Sequence, residues 1–146
     1  MPANLHHARE ALRQELGPGA LPNVTFVSSI EDAVREADLV IDCVPDELES
    51  KLEILWLLDR MAPPRTVITT PTTRLSITDL AACTYRADKC VAIVAEASAL
   101  QSGARAEITL RTTEKTSAET IALVEDFWRK LGFQPRFERE AISPAR

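Results

Sequence analysis

With 146 residues, 45% of them apolar and 27% charged, the chain has the composition of one globular domain able to bury a core. A net charge of −5 with scattered basic residues argues against nucleic acid as a partner, because neutralising phosphates takes a concentrated basic face. No apolar run approaches the roughly 18 residues of a membrane span. The amino terminus lacks the charged-then-apolar layout of a signal peptide, so the expectation is no membrane and a cytoplasmic location.

Leu5, Ala8, Leu12 and Leu16 recur at helical spacing and predict a helix from about Ala3 to Leu16. The stretch "GPGALPN" breaks it, and "VTFV" (Val24 to Val27) predicts a short strand. Ser28 with Glu31 is a capping-box pattern that opens a short helix through Glu36. "DLVIDC" (Asp38 to Cys43) is nearly all apolar, as in parallel strands covered on both faces. A helix follows from about Asp46 to Met61, with Leu48, Leu52, Leu55 and Leu58 as its stripe and "APP" as its stop. "TVITT" (Thr66 to Thr70) is a β-branched strand. Ser76 and Asp79 cap a helix through about Thr84, and "CVAIVA" and "AEITLRT" are two further strands joined by a loop containing Gly103. Thr116 and Glu119 cap a last helix whose stripe is Ile121, Val124, Trp128 and Leu131. Gly132 stops it, and "FQPRFER" is an edge strand because it carries Pro135. Cys43, Cys83 and Cys90 are odd in number and form no C-x-x-C, so they read as small buried hydrophobes in a reducing compartment.

Strands alternating with helices define an α/β domain with a largely parallel sheet. Such a domain holds a dinucleotide through G-x-G-x-x-G between its first strand and first helix, where backbone N–H groups close on the pyrophosphate. The chain has four glycines, and none forms that motif. Gly17 and Gly19 come nearest, but they follow a helix and flank a proline, which makes them a helix stop and a turn.

From about Leu12 to Pro144 the sequence resembles the NAD-binding domain of the 3-hydroxyacyl-CoA dehydrogenases. The likeness is carried by "ADLVIDCVPDELESKLEILWLLD", then "PPRTVITTPTTRLSITDLA", and less strongly by "KTSAETIALVEDFWRKLGFQP". The resemblance implies an incomplete Rossmann-like, doubly wound, mainly parallel sheet with flanking helices. It implies that residues 1–146 are a single domain lacking the family's first strand–glycine loop–helix–strand unit, and lacking the helical domain that follows it in the family. NAD is the implied cofactor and an acyl-CoA-type molecule the implied substrate.

The resemblance also assigns site positions. Asp46 falls where the family places an acidic residue facing the cofactor ribose; as an aspartate three residues before Glu49 it equally suits a helix N-cap. Lys51 matches a lysine on the nicotinamide ribose side, and is otherwise a solvated face residue. The backbone of Cys43 and Val44 matches positions passing the cofactor. Thr73 replaces a serine that hydrogen-bonds the substrate 3-oxygen, with Pro71 and Arg74 in place of an asparagine and a second serine. The family's histidine, the base that takes the hydroxyl proton, corresponds to Val94, which transfers none. Glu107 matches the glutamate that orients that histidine and is vestigial without it. The remaining histidines, His6 and His7, lie on the first helix, and Glu96 is a weak substitute base.

The expectation is a dehydrogenase-like domain with little or no catalysis of its own. The alternatives are an oligomerisation or binding module, whose exposed sheet edge a second copy or a partner covers, and a piece of a longer dehydrogenase with a misplaced start.

Overall fold

The computed structural model describes residues 2–16, 23–95 and 107–141; Gly17, Gly19, Glu96 and Gly103 lie outside them. Ten elements follow in chain order: α1 (Pro2–Leu16), α2 (Ile30–Val34), β1 (Leu39–Ile41), α3 (Leu48–Met61), β2 (Val67–Pro71), α4 (Ile77–Ala82), β3 (Cys90–Ile93), β4 (Glu107–Thr112), α5 (Ala118–Lys130) and β5 (Gln134–Arg139). A 3-10 turn, Ala87–Lys89, leads into β3.

The sheet runs β1-β2-β3-β4-β5. β1, β2 and β3 are parallel, β4 is antiparallel to β3, and β5 is parallel to β4. The alternation of side chains along a strand divides the core into two layers. On one face Ile68, Cys90 and Ala92 pack against Leu55 and Leu58 of α3 and Ile77 and Leu80 of α4. On the other, Val67, Val91, Ile93, Ile108 and Leu110 pack against Val124 and Trp128 of α5. The sheet is therefore covered on both faces, and its central strands β2 and β3 are buried at every position. β5 is an edge strand, as Pro135 requires, and β1 is the other edge among the described residues.

Several local expectations change. Val24 to Val27 forms no strand, because no ladder partner meets it among the described residues. The N-cap of α2 is Ser29, which accepts from Asp32 N–H at 3.1 Å; the adjacent serines offer the same cap pattern one residue apart. Ser117, not Thr116, caps α5, while Thr116 accepts from Thr113 N–H. The N-cap of α3 is Glu47 with no side-chain hydrogen bond, so Asp46 does not cap that helix. Leu48 and Leu131 are more than half exposed and leave the predicted stripes. Only Cys90 is a buried thiol; Cys43 and Cys83 are exposed. Burial, the largest influence on Cys90, pushes its pKa up to about 11 and makes it inert.

Two local arrangements fix the ends of α3 and α5. The Arg86 guanidinium donates to Asp59 Oδ1 at 2.8 Å and to the carbonyls of Asp59, Ala62, Pro63 and Thr66, closing the carboxyl end of α3 over the start of β2. The α5 terminus is a Schellman turn: Gly132 has φ 90°, Phe133 N–H reaches Trp128 O at 3.0 Å, and their rings pack edge-on.

Candidate functional site

In parallel α/β sheets ligands meet the carboxyl ends of the strands, where helix-leading loops gather. Here two such loops touch. The β1–α3 loop carries Val44 to Glu47, and the β2–α4 loop carries Thr72 to Ser76. Pro71, which has no N–H to donate, ends β2; Thr72 N–H makes one more bond to β3 before the chain turns into the loop.

Asp46 joins the loops. Its Oδ1 accepts from Thr72 Oγ1 at 2.5 Å, and its Oδ2 accepts from Thr73 N–H at 3.0 Å and from Thr73 Oγ1 at 3.5 Å. Arg74 Nη2 donates to the Asp46 carbonyl oxygen at 2.5 Å. Burial raises the Asp46 pKa, but the Thr72 and Thr73 hydrogen bonds and the charges of Lys51 and Arg74 outweigh it, and the carboxyl is held below its ordinary value.

Beneath this latch lies a buried ion pair. Lys51 Nζ donates to Asp42 Oδ1 at 2.7 Å, with the two side chains 1% and 2% exposed. Asp42 Oδ1 also accepts from Val44 N–H at 3.3 Å, which fixes the start of the β1–α3 loop. Lys51 is thus not a solvated face residue. Its ammonium is turned into the protein. Asp42 Oδ2 and Thr70 Oγ1 are buried without a protein partner, and the β1–β2 register carries both onto the same face.

Val94 follows β3, beside the latch: Thr72 N–H donates to Ile93 O at 2.9 Å, and Val94 N–H donates to Thr109 O at 2.9 Å. The structure therefore brings together Asp46, Thr72 and Thr73, ties Val44 and Lys51 to Asp42, and places Val94 one residue after the strand carbonyl that Thr72 bonds. It does not bring Glu107 in: that exposed carboxylate, at the start of β4, pairs with Arg136 at 3.3 Å. His6 and His7 are exposed on α1, and Cys43 is exposed at the strand end. Asp42 and Thr72 are the residues that sequence reasoning missed. An acid ending an apolar strand nine residues before a lysine was a signal for the first; the hydroxyl before Thr73 was one for the second.

The sheet order, the two covered faces and the loop cluster define a Rossmann-like nucleotide-binding domain. The family model described as "3-hydroxyacyl-CoA dehydrogenase, NAD binding domain" matches residues 3–137, and the chain belongs to that family. The cofactor of such domains is NAD.

Among curated relatives, L-carnitine dehydrogenase of Burkholderia mallei is 37% identical over 91 residues, covering 61% of this chain and 28% of that protein. 3-Hydroxybutyryl-CoA dehydrogenase of Clostridioides difficile is 32% identical over 71 residues, covering 49% of this chain and 25% of that protein. Among solved structures, (S)-3-hydroxybutyryl-CoA dehydrogenase of Ralstonia eutropha superposes with a TM-score of 0.74 at 25% identity, over 95% of this chain and 50% of that one. The chain spans less than a third of the length of the L-carnitine and 3-hydroxybutyryl-CoA dehydrogenases it matches, from 19% to 29%.

The residues present do not compose a whole dinucleotide site. No G-x-G-x-x-G occurs in the sequence, the Lys51 ammonium is engaged by Asp42, and the Asp46 carboxylate is engaged by Thr72 and Thr73.

Proposed function

We propose that this chain is an NAD-binding-type dehydrogenase domain that carries out no dehydrogenation by itself. Residues 1–146 act as one domain without the glycine-loop unit, and Cys43, Val44, Asp46, Lys51 and Thr73 are what remains of the cofactor and substrate side. The reading rests on Val94. It directly follows Ile93, whose carbonyl accepts from Thr72 N–H, and by the resemblance it takes the place of the family's proton-accepting histidine; an isopropyl group accepts no proton. Nothing adjacent substitutes among the described residues: Glu107 faces Arg136, and both histidines are exposed on α1. Loss of a positioned acid–base group costs about 10²–10⁴ in rate.

The substrate class of the lineage is a 3-hydroxy compound, either an acyl-CoA thioester or a small free acid such as carnitine, following the relatives' names. With acetoacetyl-CoA and NADH, or with L-carnitine and NAD, the chain is expected to give no turnover above background. Turnover at ordinary dehydrogenase rates overturns the reading. Calorimetric titration with NAD is expected to show weak binding or none, since the backbone cradle for the diphosphate is not encoded.

A cytoplasmic setting agrees with three free cysteines and with the lack of any membrane-spanning helix among the described residues. Assembly is the second reading, favoured by β1: its outer edge has no ladder partner among the described residues, and its three residues are half-buried. A second copy or a partner pairing there would satisfy the open backbone groups.

A further inference from the structure

The carboxylate that joins the two loops is not used by the helix it precedes. The N-cap of α3 is Glu47, and Asp46 instead reaches across to a loop 26 to 28 residues further along the chain. There the Thr72 hydroxyl, the Thr73 N–H and the Thr73 hydroxyl converge on its two oxygens at 2.5, 3.0 and 3.5 Å. The Arg74 guanidinium lies alongside, held by the Asp46 main-chain carbonyl and not by the carboxylate. Hydroxyls, a backbone N–H and a guanidinium are the donors by which proteins grip free carboxylates. They need not be answered by the chain's own side chain.

We propose that Thr72, Thr73 and Arg74 form a carboxylate cradle, that Asp46 occupies it as an internal ligand, and that a small external carboxylate, such as a short 3-hydroxy or 3-oxo acid, takes its place. The inference deepens the reading of Thr73 as the ligand-facing position; it depends on neither NAD nor turnover. The local electrostatics favour it, because the same surroundings hold the Asp46 carboxyl below its ordinary pKa despite the cost of burial. A carboxylate tethered on a neighbouring loop competes at a high effective concentration, so a free acid meets a closed cradle. Thr72 is already buried and oriented: its oxygen accepts from Leu75 N–H at 3.0 Å while its hydroxyl points to Asp46. Emptying the cradle therefore leaves the Thr72 hydroxyl and the Thr73 N–H as a preformed donor pair.

The test is an acetate titration of the 146-residue chain at constant ionic strength, with chloride as control, read from the Thr73 amide resonance. No cofactor is present, so the outcome is independent of the dehydrogenase and NAD assays. Asp46→Gly removes the internal ligand. It is expected to bind acetate saturably, at least about tenfold more tightly than the unaltered chain, a difference of ~1.4 kcal/mol. Adding Arg74→Ala is expected to weaken that binding. A folded Asp46→Gly chain whose Thr73 amide responds alike to acetate and chloride overturns the proposal. So does an unaltered chain that binds acetate as tightly as the variant. Should Asp46→Gly be unfolded in chloride, recovery of its folded circular-dichroism signal in acetate alone supports the cradle. Failure to recover, with a folded Asp46→Ser equally indifferent to acetate, overturns it.

Discussion

Lys51 carries a charge to a position where 1% of its side chain is exposed, and Asp42 beside it is as deeply placed. Removing one member of such a pair strands the other in a weakly polarisable interior, whereas removing both charges together relieves the problem. Lys51→Met is therefore expected to lower unfolding free energy by about 3–5 kcal/mol in urea denaturation. Asp42→Asn combined with Lys51→Met is expected to recover most of that loss, since asparagine still offers Val44 N–H an acceptor. If the double variant is no more stable than Lys51→Met, the pair is not the source of the effect. Lysine on a helix ordinarily keeps its head in water, and the aspartate nine residues earlier in "DCVPDELESK" signals a partner without showing which way either side chain turns. The partner is a strand-end aspartate whose orientation depends on the strand's face, and that is fixed by packing rather than by local sequence.

At the scale of elements, α4 is only six residues long and is held by a residue from the far end of the chain. Glu140, just after β5, accepts from Ser76 Oγ at 2.6 Å, Thr78 N–H at 3.0 Å and Ile77 N–H at 3.1 Å. Burial raises its pKa, but these hydrogen bonds outweigh that, and the carboxyl is held below its ordinary value. A carboxyl with a folded-state pKa below its unfolded value stabilises the protein above the unfolded pKa, and that contribution is lost as pH falls through the folded one. Glu140→Ala is expected to cost about 1–2 kcal/mol at neutral pH, in line with charge-assisted hydrogen bonds at a helix start. The gap between variant and unaltered chain should close in acid, below the ordinary carboxylate range. A gap independent of pH would mean that packing, not the charge, carries the effect.

The elements themselves were largely legible. Strand–helix alternation, the proline stop after Met61 and the glycine stop at Gly132 all follow from local chemistry, and the observed helices lie within a few residues of their expected places. What failed depended on a neighbour. Val24 to Val27 has strand composition, yet a strand exists only when a second strand is laid against it. Ser28 and Ser29 each offer a hydroxyl three residues before an acid, and only the path of the backbone selects Ser29. The resemblance singled out Asp46, Lys51, Thr73 and Val94, but the contacts of Asp46 and Lys51 were not legible, because the two loops meet only once β1 and β2 lie side by side.

For the whole molecule, the unpaired side of β1 is the feature that bears on assembly. Light scattering coupled to size exclusion is expected to show an oligomer. A clean monomer at micromolar concentration for the unaltered chain counts against pairing through β1. The Arg86 clamp has a wider consequence. One guanidinium gathers four backbone carbonyls and a carboxylate where α3 ends and β2 begins, at the pole of the sheet opposite Asp46 and Thr73. This brace is separate from the Lys51–Asp42 pair, which secures the other end beneath Asp46. Exchanges at Asp46, Thr73 or Val94 therefore leave the Arg86 brace untouched.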